Sequence, residues 1–306
     1  MMKTPLIFIH KSNIKDSQEY LYDTFRVAKK YNPDMDIYLL GDGNNKHYAD
    51  KVGIKFEYYD DYSGGEESEK FEKVFQVIKG PHHGSEEWIK FVFKRWFYIY
   101  NFIKSKSFDR FWTFDSDNLI ISRLHDNEYK FEGYDCTEQC SGACINGLVN
   151  NVSVVKGYLD KINELFEDDF YVARQINEFN TINPTYAFTE MRAYAEYKKR
   201  YSTAGGKMDI YSPRDFKSIL LQEIIDGETF DQSLSQPDEK ILCGEERNSG
   251  FEMQNGIKKI YLQDGKIYQK FVDTGELARV NAINMSWVDH RIWKSIVKYV
   301  IGDEEQ

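Results

Sequence analysis

Arg110-Phe111-Trp112-Thr113-Phe114-Asp115-Ser116-Asp117-Asn118-Leu119-Ile120-Ile121 decides the reading of this chain. Aromatic and β-forming residues lead into the acidic triplet and an apolar run leaves it, so two carboxylates sit where a buried strand breaks. Placing carboxylates there is costly unless a cation or hydrogen-bond donors receive them. Residues two apart on extended backbone point the same way, so Asp115 and Asp117 can converge on one hard cation. Their oxygens suit Mn2+ or Mg2+, ions that in turn bridge a diphosphate. An Asp-x-Asp triplet by itself arises by chance in an acidic chain; the apolar flanks and the helix before it set this one apart.

That helix is predicted over 86–106, where Trp88, Phe91, Val92, Arg95, Trp96, Ile99 and Ile103 recur at three- and four-residue spacing. Further upstream, Leu6-Ile7-Phe8-Ile9-His10 and Asp36-Ile37-Tyr38-Leu39-Leu40 read as buried strands. Between them a helix opens at Ser17, carries Leu21, Phe25 and Ala28 on one face, and stops near Pro33. A glycine-rich turn over 41–45 and a third strand over 54–58 complete a β-α-β-β start, while 64–67 and 80–84 read as loops. Such a start favours an α/β fold with a mainly parallel central sheet flanked by helices, its ligand at the carboxyl ends of the strands.

Downstream, helices are expected over 152–166, 189–199 and 215–225, with a Ser/Pro-rich turn over 211–214. Strands follow over 250–280, with a hairpin joining 257–262 to 266–268 through Asp264-Gly265. No repeat or low-complexity linker appears. One domain over 1–306 is expected, with a nucleotide-sugar-binding half over 1–122 and an acceptor-binding half over 123–306.

Composition narrows the classes. The 306 residues are 41% hydrophobic and 29% charged, which excludes a disordered chain, and no window approaches the roughly 18 apolar residues of a spanning helix. A net charge of −10 argues against nucleic acid as a partner. The opening residues are too short for a signal peptide, and four cysteines then imply free thiols in a reducing compartment, so a cytoplasmic location is expected. Cys136, Cys140 and Cys144 recur every four residues, but Gly142 and the lack of a Cys-x-x-Cys pair weigh against zinc. The 22 Tyr and 21 Phe suit stacking on sugars, and equally reflect base composition. Residues 287–301 form an amphipathic segment that either docks on the sheet or makes a peripheral membrane contact.

Phe114-Asp115-Ser116-Asp117-Asn118, following Arg95-Trp96-Phe97, resembles the DXD motif of GT-A-fold glycosyltransferases, in particular bacterial-type and giant-virus enzymes of surface-polysaccharide synthesis. The resemblance runs from Ile7-Phe8-Ile9-His10 and Tyr38-Leu39-Leu40-Gly41-Asp42 to the stretches 250–260 and 275–281. It implies metal-dependent transfer of a monosaccharide from a nucleoside-diphosphate sugar, UDP-linked by default, to a glycan or lipid-linked acceptor hydroxyl. It also implies Mn2+ or Mg2+ as cofactor. By that resemblance Asp115 meets the donor and the metal, and Asp117 ligates the metal. Ile9, His10, Lys11, Asp42 and Ser116 fall where such enzymes hold the nucleoside. Arg95 is either a diphosphate contact or an exposed helix residue. Relatives carry a metal-binding His near the C-terminus; here Asn284 falls in that slot, with His290 as a displaced alternative. For a catalytic base, Asp209 is the first candidate and Glu190 the second, where a helix-terminal charge is the plainer account. The rival readings are a nucleotidyltransferase acting on sugar phosphates, which lacks its glycine-rich loop after the first strand here, and an inactive carbohydrate-binding protein on the same fold.

Overall fold

The computed structural model describes residues 4–12, 18–198, 216–236, 242, 243, 245, 246 and 250–302. Strand β1 (Leu6–Ile9) leads to helix α1 (Tyr20–Tyr31), strand β2 (Ile37–Gly41), helix α2 (Lys46–Val52) and strand β3 (Lys55–Tyr58). Helices α3 (Glu66–Val74) and α4 (Glu86–Lys106) precede strand β4 (Phe111–Phe114) and the short β5 (Asn118–Ile120). After β6 (Cys136–Gln139) and β7 (Cys144–Val149) come helices α5 (Ser153–Glu167), α6 (Asp169–Thr181) and α7 (Glu190–Lys198), then strand β8 (Ser218–Leu220). The chain closes through β9 (Glu228–Thr229), a run of short strands and helix α8 (His290–Ile301).

Among the described residues, seven strands form one sheet in the order β3-β2-β1-β4-β7-β6-β8. Pairing is parallel except on either side of β7, so the sheet is mixed and mostly parallel. Alternation along the strands divides the core in two. Leu6, Phe8, Ile37, Leu39, Trp112 and Phe114 pack on Leu21, Phe25 and Ala28 of α1. Ile7, Ile9, Tyr38, Leu40 and Phe111 face the other way, onto α4, α5 and α7. Helix α4 is capped by Ser85, whose hydroxyl accepts from the Trp88 N–H, and carries Glu86 and Glu87 in its first turn and Lys104 and Lys106 in its last.

A second sheet joins Tyr261–Gln263, Lys266–Lys270, Leu277–Val280 and β9. Its hairpin turns at Asp264 and Gly265 with φ of 50° and 70°, the left-handed pair that Asp-Gly supplies. The strand Ala282–Asn284 pairs antiparallel with β5. Trp293, Ile296, Val297 and Val300 of α8 are buried against Val27 of α1 and Leu119, so the amphipathic C-terminal segment docks on the body of the protein. Among the described residues, no helix is long and apolar enough to cross a membrane.

Four expectations need correction. Helix α2 stands between the second and third strands, and α3 begins at Glu66, inside the stretch read as a loop. The helix expected over 215–225 is instead β8, because Ser218–Leu220 completes the sheet edge by pairing in parallel with β6; residue 215 lies outside the described residues. The single strand expected over 257–262 is two, one pairing with Met253–Gln254 and the other with Lys266–Lys270.

Candidate active site

Strands β1 and β4 are parallel neighbours, with Phe8 opposite Phe114, so Ile9 and His10 leave one strand beside Asp115 leaving the other. Successive strands run outward from this point in opposite directions, which makes it the switch point where a crevice opens at the strands' carboxyl ends. A cavity of about 820 Å³ lies there, bordered by Ile9, His10, Lys11, Arg95, Asp115, Ser116, Asp117 and Glu190. Eight of the residues singled out from sequence therefore share one wall.

Arg95 is the hinge of the arrangement. Its guanidinium donates to Asp115 Oδ1 at 2.6 Å and to Glu190 Oε1 at 3.0 Å, and its side chain is 16% exposed, which removes the exposed-helix reading. Burial opposes its charge, but Asp115 and Glu190 together outweigh burial and raise its pKa. Burial raises the Glu190 carboxyl despite Arg95, and one of its oxygens, Oε2, is buried without a hydrogen-bond partner. Glu190 opens α7, and its carbonyl accepts from the Tyr158 hydroxyl at 2.6 Å.

His10 Nδ1 lies 2.8 Å from Ser116 Oγ, and the Ser116 carbonyl accepts from the Thr24 hydroxyl of α1 at 2.9 Å. Burial pushes the His10 pKa down to about 4, against the pull of Asp42, so the ring is neutral at neutral pH and steers by hydrogen bonding. Lys11 reaches Glu87 at 3.4 Å on the rim. Asp42 accepts from the Ser12 N–H at 2.7 Å and from the Ser12 hydroxyl at 2.8 Å. It braces the loop leaving β1 from behind and does not border the cavity.

Asp117 stands beside Asp115 in the cavity wall. Burial first, then the charge of Asp115, raises its pKa from the ordinary 3.8 to about 6. Ser286 donates to its Oδ2 at 2.5 Å and Asn118 Nδ2 to its Oδ1 at 3.2 Å. The strand Ala282–Asn284, with Asn284 opposite Asn118, carries the following loop over Asp117. Asn284 itself turns into that loop, its Oδ1 accepting from the Ser286 N–H at 2.9 Å, and does not border the cavity. His290 is the exposed first residue of α8 and does not border it either. Asp209 lies outside the described residues.

Two of the bordering residues, Ser286 and Tyr20, carried no signal in the sequence. Ser286 is an ordinary serine until strand pairing brings it to Asp117. Tyr20 borders the cavity with its pKa raised to about 12 by burial. Cys140 and Cys144 belong to a strand-turn-strand unit rather than to the helix that their spacing would suit.

Among the described residues, no group of three or more His, Cys, Asp or Glu side chains is placed to hold a metal ion. The donor set fits a hard cation in part: among the described residues Asp117 makes no ion pair, whereas Asp115 is already paired with Arg95. Two pH effects are expected. Without metal, the native state keeps a proton on Asp117 that the unfolded chain has released. Asp117's contribution to stability therefore falls as pH rises from about 4 to about 6. Mn2+ binding should weaken as pH falls through about 6, where Asp117 takes up its proton, and Asp117→Asn should remove that pH dependence in calorimetric titrations.

No protein-family model matches the chain, and no curated protein matches it by sequence. Among solved structures, the chain is similar to the PaToxG glycosyltransferase at 11% identity and a TM-score of 0.36, over 62% of this chain and 68% of that one. It is similar to mouse xyloside xylosyltransferase 1 at 10% identity and a TM-score of 0.38, over 63% and 81% of the two chains. The glycosyltransferase GlyE of Streptococcus pneumoniae gives 19% identity and a TM-score of 0.34, over 58% of this chain and 43% of that one.

Proposed function

We propose that the protein is a GT-A-type glycosyltransferase, moving a monosaccharide from a nucleoside-diphosphate sugar, UDP-linked as first choice, to a hydroxyl of a glycan or lipid-linked acceptor. The observation that supports this reading is the position of Asp115 and Asp117. Both leave β4 where the sheet order reverses, at the wall of one cavity, with Arg95 held between Asp115 and Glu190. Asp117, beside Asp115, would hold Mn2+ or Mg2+, which when bound offsets the charge developing on the leaving diphosphate.

The chain's own groups then divide the work. Arg95 fixes Asp115 toward the donor and spends its charge inside the protein. Neutral His10 orients Ser116, and Lys11 supplies positive charge at the mouth. Glu190 is the base with a defined position: its raised pKa and unpartnered Oε2 suit it to receive the acceptor hydroxyl's proton as that oxygen attacks the anomeric carbon. Glu190→Gln should lower the rate at saturation by roughly a hundredfold while changing donor affinity little. Equal loss in donor affinity would make Glu190 a positioning residue for Arg95, and Asp209 the next candidate base.

A thermal-shift screen of nucleotides and nucleotide sugars, with and without Mn2+, tests the reading as a whole. A nucleoside diphosphate at about 100 times its dissociation constant adds about 2.7 kcal/mol of stability. Stabilisation that needs both nucleotide and metal is expected. No stabilisation by any nucleotide in either condition, with no donor hydrolysis, would sink it.

A further inference from the structure

Cys140 and Cys144 border the same cavity, and the proposed chemistry makes no use of them. Strand β6 ends at Gln139, one tight turn over Cys140–Gly142 follows, and β7 begins at Cys144. Gln139 and Cys144 are paired across the two strands, which puts Cys140 one residue beyond the pair. The turn is closed by the Ala143 N–H, 3.1 Å from the carbonyls of both Gln139 and Cys140, with Cys140 in left-handed backbone at φ 53°. Across this turn each thiol acts on the other's ionisation. Cys140 is an exposed residue and Cys144 a buried one, so Cys140 is the one of the two that a reagent in the cavity reaches. The neighbouring Cys144 lowers the Cys140 pKa, and Cys140, with burial, raises that of Cys144. This is the asymmetry of an attacking thiol and a resolving one.

We infer that Cys140 and Cys144 are a reversible disulfide-forming site in the cavity wall, oxidised by low-molecular-weight disulfides of the glutathione type. The Cys140 thiolate attacks a sulfur of the reagent, whose S–S bond breaks and releases one thiolate. Cys144 then gives up its proton and attacks the Cys140 sulfur, expelling the second thiolate; each leaving thiolate takes up a proton. Two protein thiols are oxidised and one small disulfide is reduced to two thiols. The bridge alters the wall beside Arg95 and Asp115, whose charges act on both thiols. On the proposed reading of the cavity as a donor site, it therefore lowers turnover.

The full chain is incubated with oxidised glutathione under native conditions, free thiols are alkylated, and peptides are mapped by mass spectrometry. The wild type should give a peptide linked between Cys140 and Cys144, reversed by dithiothreitol. Cys136, buried with its thiol pushed up to about 12, should remain alkylation-silent until unfolding. Cys144→Ser should trap glutathione on Cys140, and Cys140→Ser should leave Cys144 unmodified. A stable glutathione adduct on wild-type Cys140 without a bridge, a bridge to Cys136 or Cys243, or modification of Cys144 in Cys140→Ser would each overturn the assignment. The ratio of oxidised to reduced donor hydrolysis, measured within each protein, reads the consequence: it should fall severalfold in the wild type and stay near one in Cys140→Ser. Because the bridge is read by mass, its absence is distinguishable from failure of the transferase reading.

Discussion

Asp117→Ala is expected to reduce metal-dependent donor turnover by at least about a hundredfold while the protein stays folded. The two halves of that expectation have different causes. Turnover falls because Asp117 is the member of the acid pair that makes no ion pair among the described residues, whereas Asp115 is held by Arg95. The fold survives because an ionised Asp117 is already unfavourable in its place, with burial and Asp115 both raising its pKa to about 6. At neutral pH and without metal, removing it should leave the melting temperature unchanged or slightly higher. Its backbone carbonyl, which accepts from the Met285 N–H at 2.9 Å, keeps the overlying loop in place. Circular dichroism melts and donor hydrolysis with Mn2+ or with chelator give both readings from one preparation. Wild-type turnover by the variant, or by the wild type after verified metal removal, would contradict the proposal.

The second large effect is on stability alone. Lys258 and Asp231 form an ion pair with both side chains fully buried, Nζ to Oδ1 at 2.5 Å, and Gln269 donates to the same oxygen at 3.1 Å. The pair ties the second sheet to the main body, because the Asp231 carbonyl also accepts from Gln139 of β6 at 3.2 Å. Asp231→Ala should cost about 3–5 kcal/mol, since it removes a fully buried carboxylate from beside a buried ammonium. Replacing both partners, as Asp231→Leu with Lys258→Met, should cost far less than the single change. Urea denaturation of the wild type, the single variant and the double variant decides. Equal losses in the single and double variants would mean that packing, not charge, holds this junction.

The parts of the fold legible in the sequence are those whose burial is uniform. β1, β2 and β4 are continuous apolar runs because helices cover both faces of the sheet there, and α4 shows its period because one stripe meets the core. α2 left little trace, since Ala49 is its one buried residue. β6 was illegible for a different reason. Thr137, Glu138 and Gln139 are buried polar residues whose needs are met by distant groups, Glu138 by Tyr194 at 2.6 Å and by Lys198 at 2.7 Å. No local pattern announces such a strand. β8 was misread because three half-buried residues at a sheet edge look like a helix until β6 is present to pair with.

The site divides along the same line. Asp115, Asp117, Arg95 and His10 could be singled out because each follows or faces a recognisable element. Ser286 could not; Asn284, chosen by resemblance, lies two residues before it in the same segment. The register of Ala282–Asn284 on β5 decides which residue of that segment reaches Asp117, and a register is a property of two strands rather than of one sequence stretch.

That pairing also sets an order of events during synthesis. Ile120 and its partner Ala282 are separated by roughly 160 residues, so at about 5–20 residues per second β5 waits on the order of ten seconds or more at the ribosome for its mate. During that interval the acid pair has been made, but neither Ser286 nor the strand that frames it yet exists. A nascent chain stalled before residue 282 should therefore display β1, β2 and β4 without a closed cavity, and should depend on the last strand and α8 to finish it. The acid pair is translated well before the strand and the loop that enclose it.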